Sequence, residues 1–264
     1  RFFAMQFPEI QLRGLTLRYA DTLNTGTPLV LIGGIGMALE SGAALAQAFA
    51  QRELRGVSLE LPGAGSGQLW RLADYADLLA EWLTEIGIEQ AVVMGVSWGG
   101  ALAQEFARRH PSRLSHLVLA ATTPGMVMLP GTPKALSSFL RPKLYRKKHK
   151  VSDSDPESDS TTSRVSLNLD FTKVGWQMLA AAGWTSIHWL HRIQQPVLII
   201  QGTDDELVRP ANARLLNSRL PNSQLEFIEG GGHLCAYTQV DRVAELVADF
   251  MQLNADADYA RTRR

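Results

Sequence analysis

The stretch AVVMGVSWGGALAQEFARRHP, residues 91–111, decides the fold. It opens with an apolar run of the kind a fully buried strand carries, and it closes on apolar positions at helical spacing. Between them lies GVSWG, residues 95–99, followed by Gly100. A chain that passes from strand to helix through one serine must turn sharply there. The small residues Gly95, Gly99 and Gly100 let neighbouring backbone approach without a Cβ clash. Such a turn holds the Ser97 hydroxyl outward, and the helix behind it presents free N–H groups toward developing negative charge. The pattern Gly-x-Ser-x-Gly is that of a nucleophile exposed on a strand–helix turn.

Working outward, the same rhythm recurs. IQLRGLTLRYADT (10–22) predicts one or two strands with a turn near Gly14, and PLVLIGGIG (28–36) predicts a strand ending in glycines. MALESGAALAQAFAQR (37–52) reads as helix, GVSLELPGAGSG (56–67) as a strand stopped by Pro62, and RLADYADLLAEWLTEIG (71–87) as an amphipathic helix ending at Gly87. LSHLVLAATT (114–123) returns to strand. After a break, QPVLIIQG (195–202), ANARLLNSRLP (211–221), SQLEFIEG (223–230) and QVDRVAELVADFMQL (239–253) alternate strand and helix again. Short apolar strands alternating with helices predict an α/β fold, a mostly parallel central sheet with helices on both faces.

The break predicts an inserted cap. The organisation is a first core part over residues 1–124, a cap over 125–191, a second core part over 192–254 and a polar tail over 255–264. Within the cap, a basic run, PKLYRKKHK (142–150), meets an acidic, serine-rich one, VSDSDPESDSTTS (151–163). The segment near 147–163 has too little apolar surface to bury and is expected to be polar and flexible. GWQMLAAAGWTSIHWLH (175–191) then predicts one or two apolar helices.

A serine hydroxyl is a poor nucleophile at neutral pH and needs a base. His233, in the glycine run EGGGHLCAY (229–237) after the last strand, is the best placed. The imidazole needs an orienting carboxylate. QGTDDELVRP (201–210) offers Asp205, with Asp204 as its nearest competitor. The order Ser97, Asp205, His233 is that of a catalytic triad on this kind of sheet. An oxyanion needs two N–H donors: Trp98 is expected to supply one and Ile35, in the GGIG loop of residues 33–36, the other. Met126, Met128, Trp184 and Trp189, with Leu234 beside the histidine, are candidates for lining an apolar substrate tunnel, and they suit packing between cap and core equally well.

Composition narrows the classes. Lys plus Arg and Asp plus Glu both total 26, so no global field steers the chain to nucleic acid or anionic lipid. The single cysteine cannot form an internal disulfide and fits a reducing, cytoplasmic setting. No apolar run reaches the ~18 residues of a membrane span, and the opening RFFAMQFPEIQ lacks a leader-like apolar core. The GGIG loop lacks the Gly-Lys-Ser/Thr of a phosphate loop. His110, His116, His149, His188 and His191 are scattered, so neither a metal nor a cofactor is expected.

The chain resembles the α/β-hydrolases, and more narrowly the intracellular poly(3-hydroxyalkanoate) depolymerases of the medium-chain-length type. GVSWGGALAQEFA (95–107), LVLAATTPGMVMLPGTPK (117–134) and GWTSIHWLHRIQQPVLI (183–199) carry the likeness. The resemblance implies the α/β-hydrolase fold and an esterase that cuts a hydrophobic stored polyester at a granule surface. It carries the nucleophile to Ser97, the acid to Asp205, the base to His233 and the oxyanion loop to residues 33–36. The same triad also suits a small-ester or lipase-like acyl hydrolase, an acyltransferase, or a ligand receptor that has ceased to catalyse.

Overall fold

The computed structural model describes residues 5–63, 69–125 and 171–262. Its strands are β1 (Glu9–Leu12), β2 (Leu15–Asp21), β3 (Thr27–Ile32), β4 (Leu54–Leu59), β5 (Ala91–Val96), β6 (Leu114–Ala120), β7 (Val197–Gly202) and β8 (Ser223–Ile228). They form one sheet in the order β1-β2-β4-β3-β5-β6-β7-β8. β1, β2 and β4 pair antiparallel at one edge, and every pairing from β4 through β3 to β8 is parallel. β5 and β7 are buried at every residue, as strands covered on both faces must be. The expected break near Gly14 is a tight hairpin, with Arg13 and Gly14 both at positive φ.

The helices are α1 (Ala43–Ala50), α2 (Leu72–Glu85), α3 (Trp98–Arg109), α4 (Phe171–Ala180), α5 (Pro210–Arg219), α6 (Cys235–Thr238) and α7 (Val240–Thr262). Side chains alternate across β5. Ala91 and Val93 pack with α2, α3 and α5, whereas Val92, Met94 and Val96 pack with α1, α6 and α7. The sheet thus divides two apolar cores, and helices cover both faces.

Between β6 and β7 the described residues resume at α4. The chain then returns to the core through polar contacts. Gly125 bridges Thr185, Ser186 N–H donates to Pro124 O at 2.8 Å, and the Ser186 hydroxyl donates to Gln104 Oε1 at 2.6 Å. The Gln104 amide in turn donates to Gly100 O and Thr123 O, at 3.0 and 3.2 Å. A buried amide needs such partners, and here they fasten the returning segment to α3. Met126, Met128 and the polar run near 147–163 lie outside the described residues. At the other end, α7 continues to Thr262, where the sequence suggested a tail from residue 255. Residues 240–262 hold neither glycine nor proline to stop the helix.

Candidate active site

The site is built at the carboxyl ends of the parallel strands. β5 ends at Val96 and α3 begins at Trp98, so a single residue, Ser97, makes the turn. Its backbone takes φ 55° and ψ −116°, a conformation that side-chain-bearing residues rarely adopt. Two bonds from the β6 end hold it there. Ser97 N–H donates to Ala120 O at 2.9 Å, and the Thr122 hydroxyl donates to Ser97 O at 2.7 Å. The close approach is backbone against backbone. A Cβ at Gly95 would fall 2.2 Å from Gly99 O, and one at Gly99 2.3 Å from Ile32 O.

His233 follows β8 and faces this turn. Its Nε2 is 3.0 Å from Ser97 Oγ, and its Nδ1 is 2.9 Å from Asp205 Oδ2. Both partners are withdrawn from water, Asp205 at 2% and His233 at 7% exposure. A buried carboxylate must be well bonded. Oδ1 accepts from Leu207 and Val208 N–H at 2.9 and 2.8 Å, while Oδ2 also accepts from the Gln201 amide at 3.2 Å. With Nδ1–H donated to the carboxylate, Nε2 is left to accept the serine proton. Asp204 is exposed and accepts only from its neighbour's hydroxyl, Thr203, at 3.2 Å among its described side-chain bonds. Geometry therefore separates the two aspartates that the sequence left as competitors.

The loop of residues 33–36 lies beside the serine. A Cβ at Gly34 would sit 3.7 Å from Ser97 Cβ. Met37 N–H donates to Gly34 O at 3.2 Å and closes a turn in which Gly36 has φ 69°. That is the place where a type II turn needs a residue in the left-handed region. Gly36 N–H donates to Gln177 Oε1 at 2.6 Å and is thereby committed. Trp98 opens α3. Its indole N–H donates to Gln177 O at 2.8 Å, and its ring meets Tyr75 edge-on at 5.7 Å. Burial pushes the Tyr75 phenol up to about 12, and its hydroxyl donates to Pro62 O at 2.8 Å, so the ring beside the site is uncharged at neutral pH.

The other sequence candidates are placed differently. Trp184 and Trp189 meet edge-to-face at 6.1 Å. The Trp184 indole donates to Glu105 at 3.1 Å, and the Arg108 guanidinium lies over the Trp189 ring at 5.3 Å. Glu105 is eight residues along α3 from Ser97, about 12 Å of helix, and both tryptophans pack partly buried against the apolar core. Leu234 is half-buried against the core beneath α6 and α7. His188 and His191 are exposed, and His110 bonds Asp77 at 2.8 Å. Among the described residues no cluster of three His, Cys, Asp or Glu side chains has a metal-binding arrangement.

Three supporting residues escaped the sequence reading: Thr122, Gln177 and Gln201. Each is a buried polar residue in or beside an apolar run, and that was the available signal. A polar group so placed must find a partner, and all three find one at the site.

Comparison with known proteins gives a consistent picture. The model of the "Alpha/beta hydrolase family" matches residues 29–246. A poly(3-hydroxyalkanoate) depolymerase of Ectopseudomonas oleovorans is 39% identical over 241 residues, covering 86% of this chain and 84% of that protein. A pimeloyl-[acyl-carrier protein] methyl ester esterase of Aromatoleum aromaticum is 27% identical, covering 85% and 98%. Among solved structures, a thermophilic esterase from Thermogutta terrifontis superposes with a TM-score of 0.72 at 20% identity, covering 94% of this chain and 98% of that one, a likeness of fold.

Proposed function

The chain belongs to the alpha/beta hydrolase family, and from that premise we propose that it is a serine esterase whose substrate is medium-chain poly(3-hydroxyalkanoate). The observation that carries the reading is the continuous bonded chain from Ser97 Oγ through His233 to a buried Asp205. The polymer assignment draws its support from the 39% identical depolymerase.

In this reading Ser97 Oγ attacks the ester carbonyl carbon while its proton passes to His233 Nε2. Asp205 keeps the imidazole in place and stabilises its cationic form. The N–H groups of Trp98 and Ile35 receive the oxyanion. The C–O bond then breaks, and the departing alcohol takes the proton from His233. Water, deprotonated by the same nitrogen, attacks the acyl-serine and frees a 3-hydroxy acid or oligomer. The chemistry asks for no metal or cofactor. The place of action is the surface of a cytoplasmic storage granule. No helix among the described residues is long and apolar enough to cross a membrane.

A second reading, a small-molecule carboxylesterase, is favoured by the 27% identical methyl ester esterase. One experiment separates them: product analysis after incubation with amorphous short- and medium-chain polyesters and with soluble p-nitrophenyl esters, using Ser97→Ala as control. Release of 3-hydroxy acids from medium-chain polymer, abolished by the substitution, is expected. Turnover of the soluble esters alone would select the second reading, and undiminished turnover by Ser97→Ala would remove both.

A further inference from the structure

Gln177 belongs to α4, in the segment between β6 and β7, yet it bonds to both walls of the site. Its side-chain Oε1 accepts from Gly36 N–H at 2.6 Å, and its backbone O accepts from the Trp98 indole at 2.8 Å. It is 8% exposed on a largely apolar helix. We propose that Gln177 is a positioning residue that holds the loop of residues 33–36, which carries the expected oxyanion donor Ile35 N–H, in place beside Ser97. This inference rests on the esterase reading of the same site.

The turn explains why such a clamp matters. Residues 34–37 form a turn closed by Met37 N–H on Gly34 O, with Gly36 at φ 69°. The two common turn types differ by a rotation of the central peptide, and glycine after that peptide leaves both open. The central peptide here joins Ile35 to Gly36, and its N–H is the one bonded to Gln177. Flipping it would break the 2.6 Å bond and turn the Ile35 carbonyl toward Oε1, oxygen against oxygen. The bond therefore selects one orientation. The N–H of Ile35 lies one peptide earlier, outside that rotation, so the bond acts on it by pinning the loop that carries it to α4. The indole bond ties α4 to the first residue of α3, so the clamp and the second expected donor, Trp98 N–H, share one support. Lys173 on α4, paired with Glu60 at 2.6 Å, adds a tie to the end of β4.

Gln177→Met removes the side-chain acceptor, keeps a good helix former and leaves the backbone bond to Trp98 in place. Proton exchange at the Gly36 amide, read by NMR, should accelerate roughly five- to tenfold, the equivalent of one net hydrogen bond. Amides of β5 and β6 should exchange as before. On an ester that the parent hydrolyses, kcat should fall about 10- to 100-fold, as small misplacements of catalytic groups do. KM should move by less than about threefold, since the lost interaction serves the transition state. Gln177→Glu, which keeps an acceptor of the same reach, should restore Gly36 protection. Unchanged exchange at Gly36 in Gln177→Met would overturn the proposal. So would faster exchange with parental kcat, or a kcat loss matched by a general loss of protection across the sheet. If the parent hydrolyses no ester in a Ser97-dependent way, the esterase reading fails by itself. Gly36 exchange then decides the clamp alone: acceleration upholds it and parental exchange rejects it.

Discussion

At the scale of the residue, the site rests on how completely its buried carboxylate is answered. Asp205 has two backbone N–H groups on one oxygen and His233 and Gln201 on the other. Asp205→Asn should leave the fold intact but present an amide where the imidazole needs an acceptor, and turnover should drop by about 10⁴-fold. Asp204→Asn should stay close to the parent in the same steady-state assay. A severe loss in the latter alone would move the acid to the neighbouring position. Cys235, two residues after the histidine, supplies a pH effect. Burial, with the charge of Asp205 adding to it, pushes its thiol from 9.0 up to about 11. The folded thiol then stays protonated where the unfolded chain's has ionised, so the unfolded state binds fewer protons and stability falls as pH rises from about 9 toward 11. The contribution is at most ~3 kcal/mol. Urea unfolding across that range should show a shallower decline in Cys235→Ala than in the parent.

At the scale of the element, the strand–turn–helix of β5 and α3 does the positioning, and its tolerances are steric. Gly99→Ala would drive a methyl to 2.3 Å from the Ile32 carbonyl, an atom fixed in β3. No side chain can yield there, so the substitution should cost about 3 kcal/mol or prevent folding, which chemical denaturation or soluble yield would reveal. This element was legible in the sequence because every local signal in residues 91–111 agreed: apolar run, glycines, serine, helical spacing. The loops after β7 and β8 were legible for their chemistry, through Asp205 and His233. They were less so for their choice of atoms, since adjacent aspartates are equivalent until the backbone decides which one turns inward. Gln177 was invisible for a different reason. Its partners are 141 and 79 residues away, and no local pattern encodes a contact of that span. The tryptophans at 184 and 189 left two roles open, since apolar bulk announces burial without saying against what.

At the scale of the whole molecule, the sheet is the rigid body and the site is its margin. β3, β5, β6 and β7 lie inside, with apolar cores on both faces, whereas β1 and β8 form the edges. Hydrogen exchange should therefore be slowest in β3, β5, β6 and β7 and faster in β1 and β8. Equal protection across all eight strands would contradict the two-core architecture. That central reserve of stability is what permits a non-glycine residue at φ 55°, ψ −116°. Strain of this kind amounts to about 1–3 kcal/mol, and it is tolerated because the surroundings over-determine the turn. It follows that the alphabet available at position 97 is narrow. Threonine carries the same hydroxyl but is branched at Cβ and ill-suited to positive φ, so it cannot replace serine there. Glycine should relax the backbone and raise the melting temperature while abolishing turnover. The molecule thus holds a latent gain in heat resistance, reachable by one substitution, that any lineage still using the enzyme must forgo.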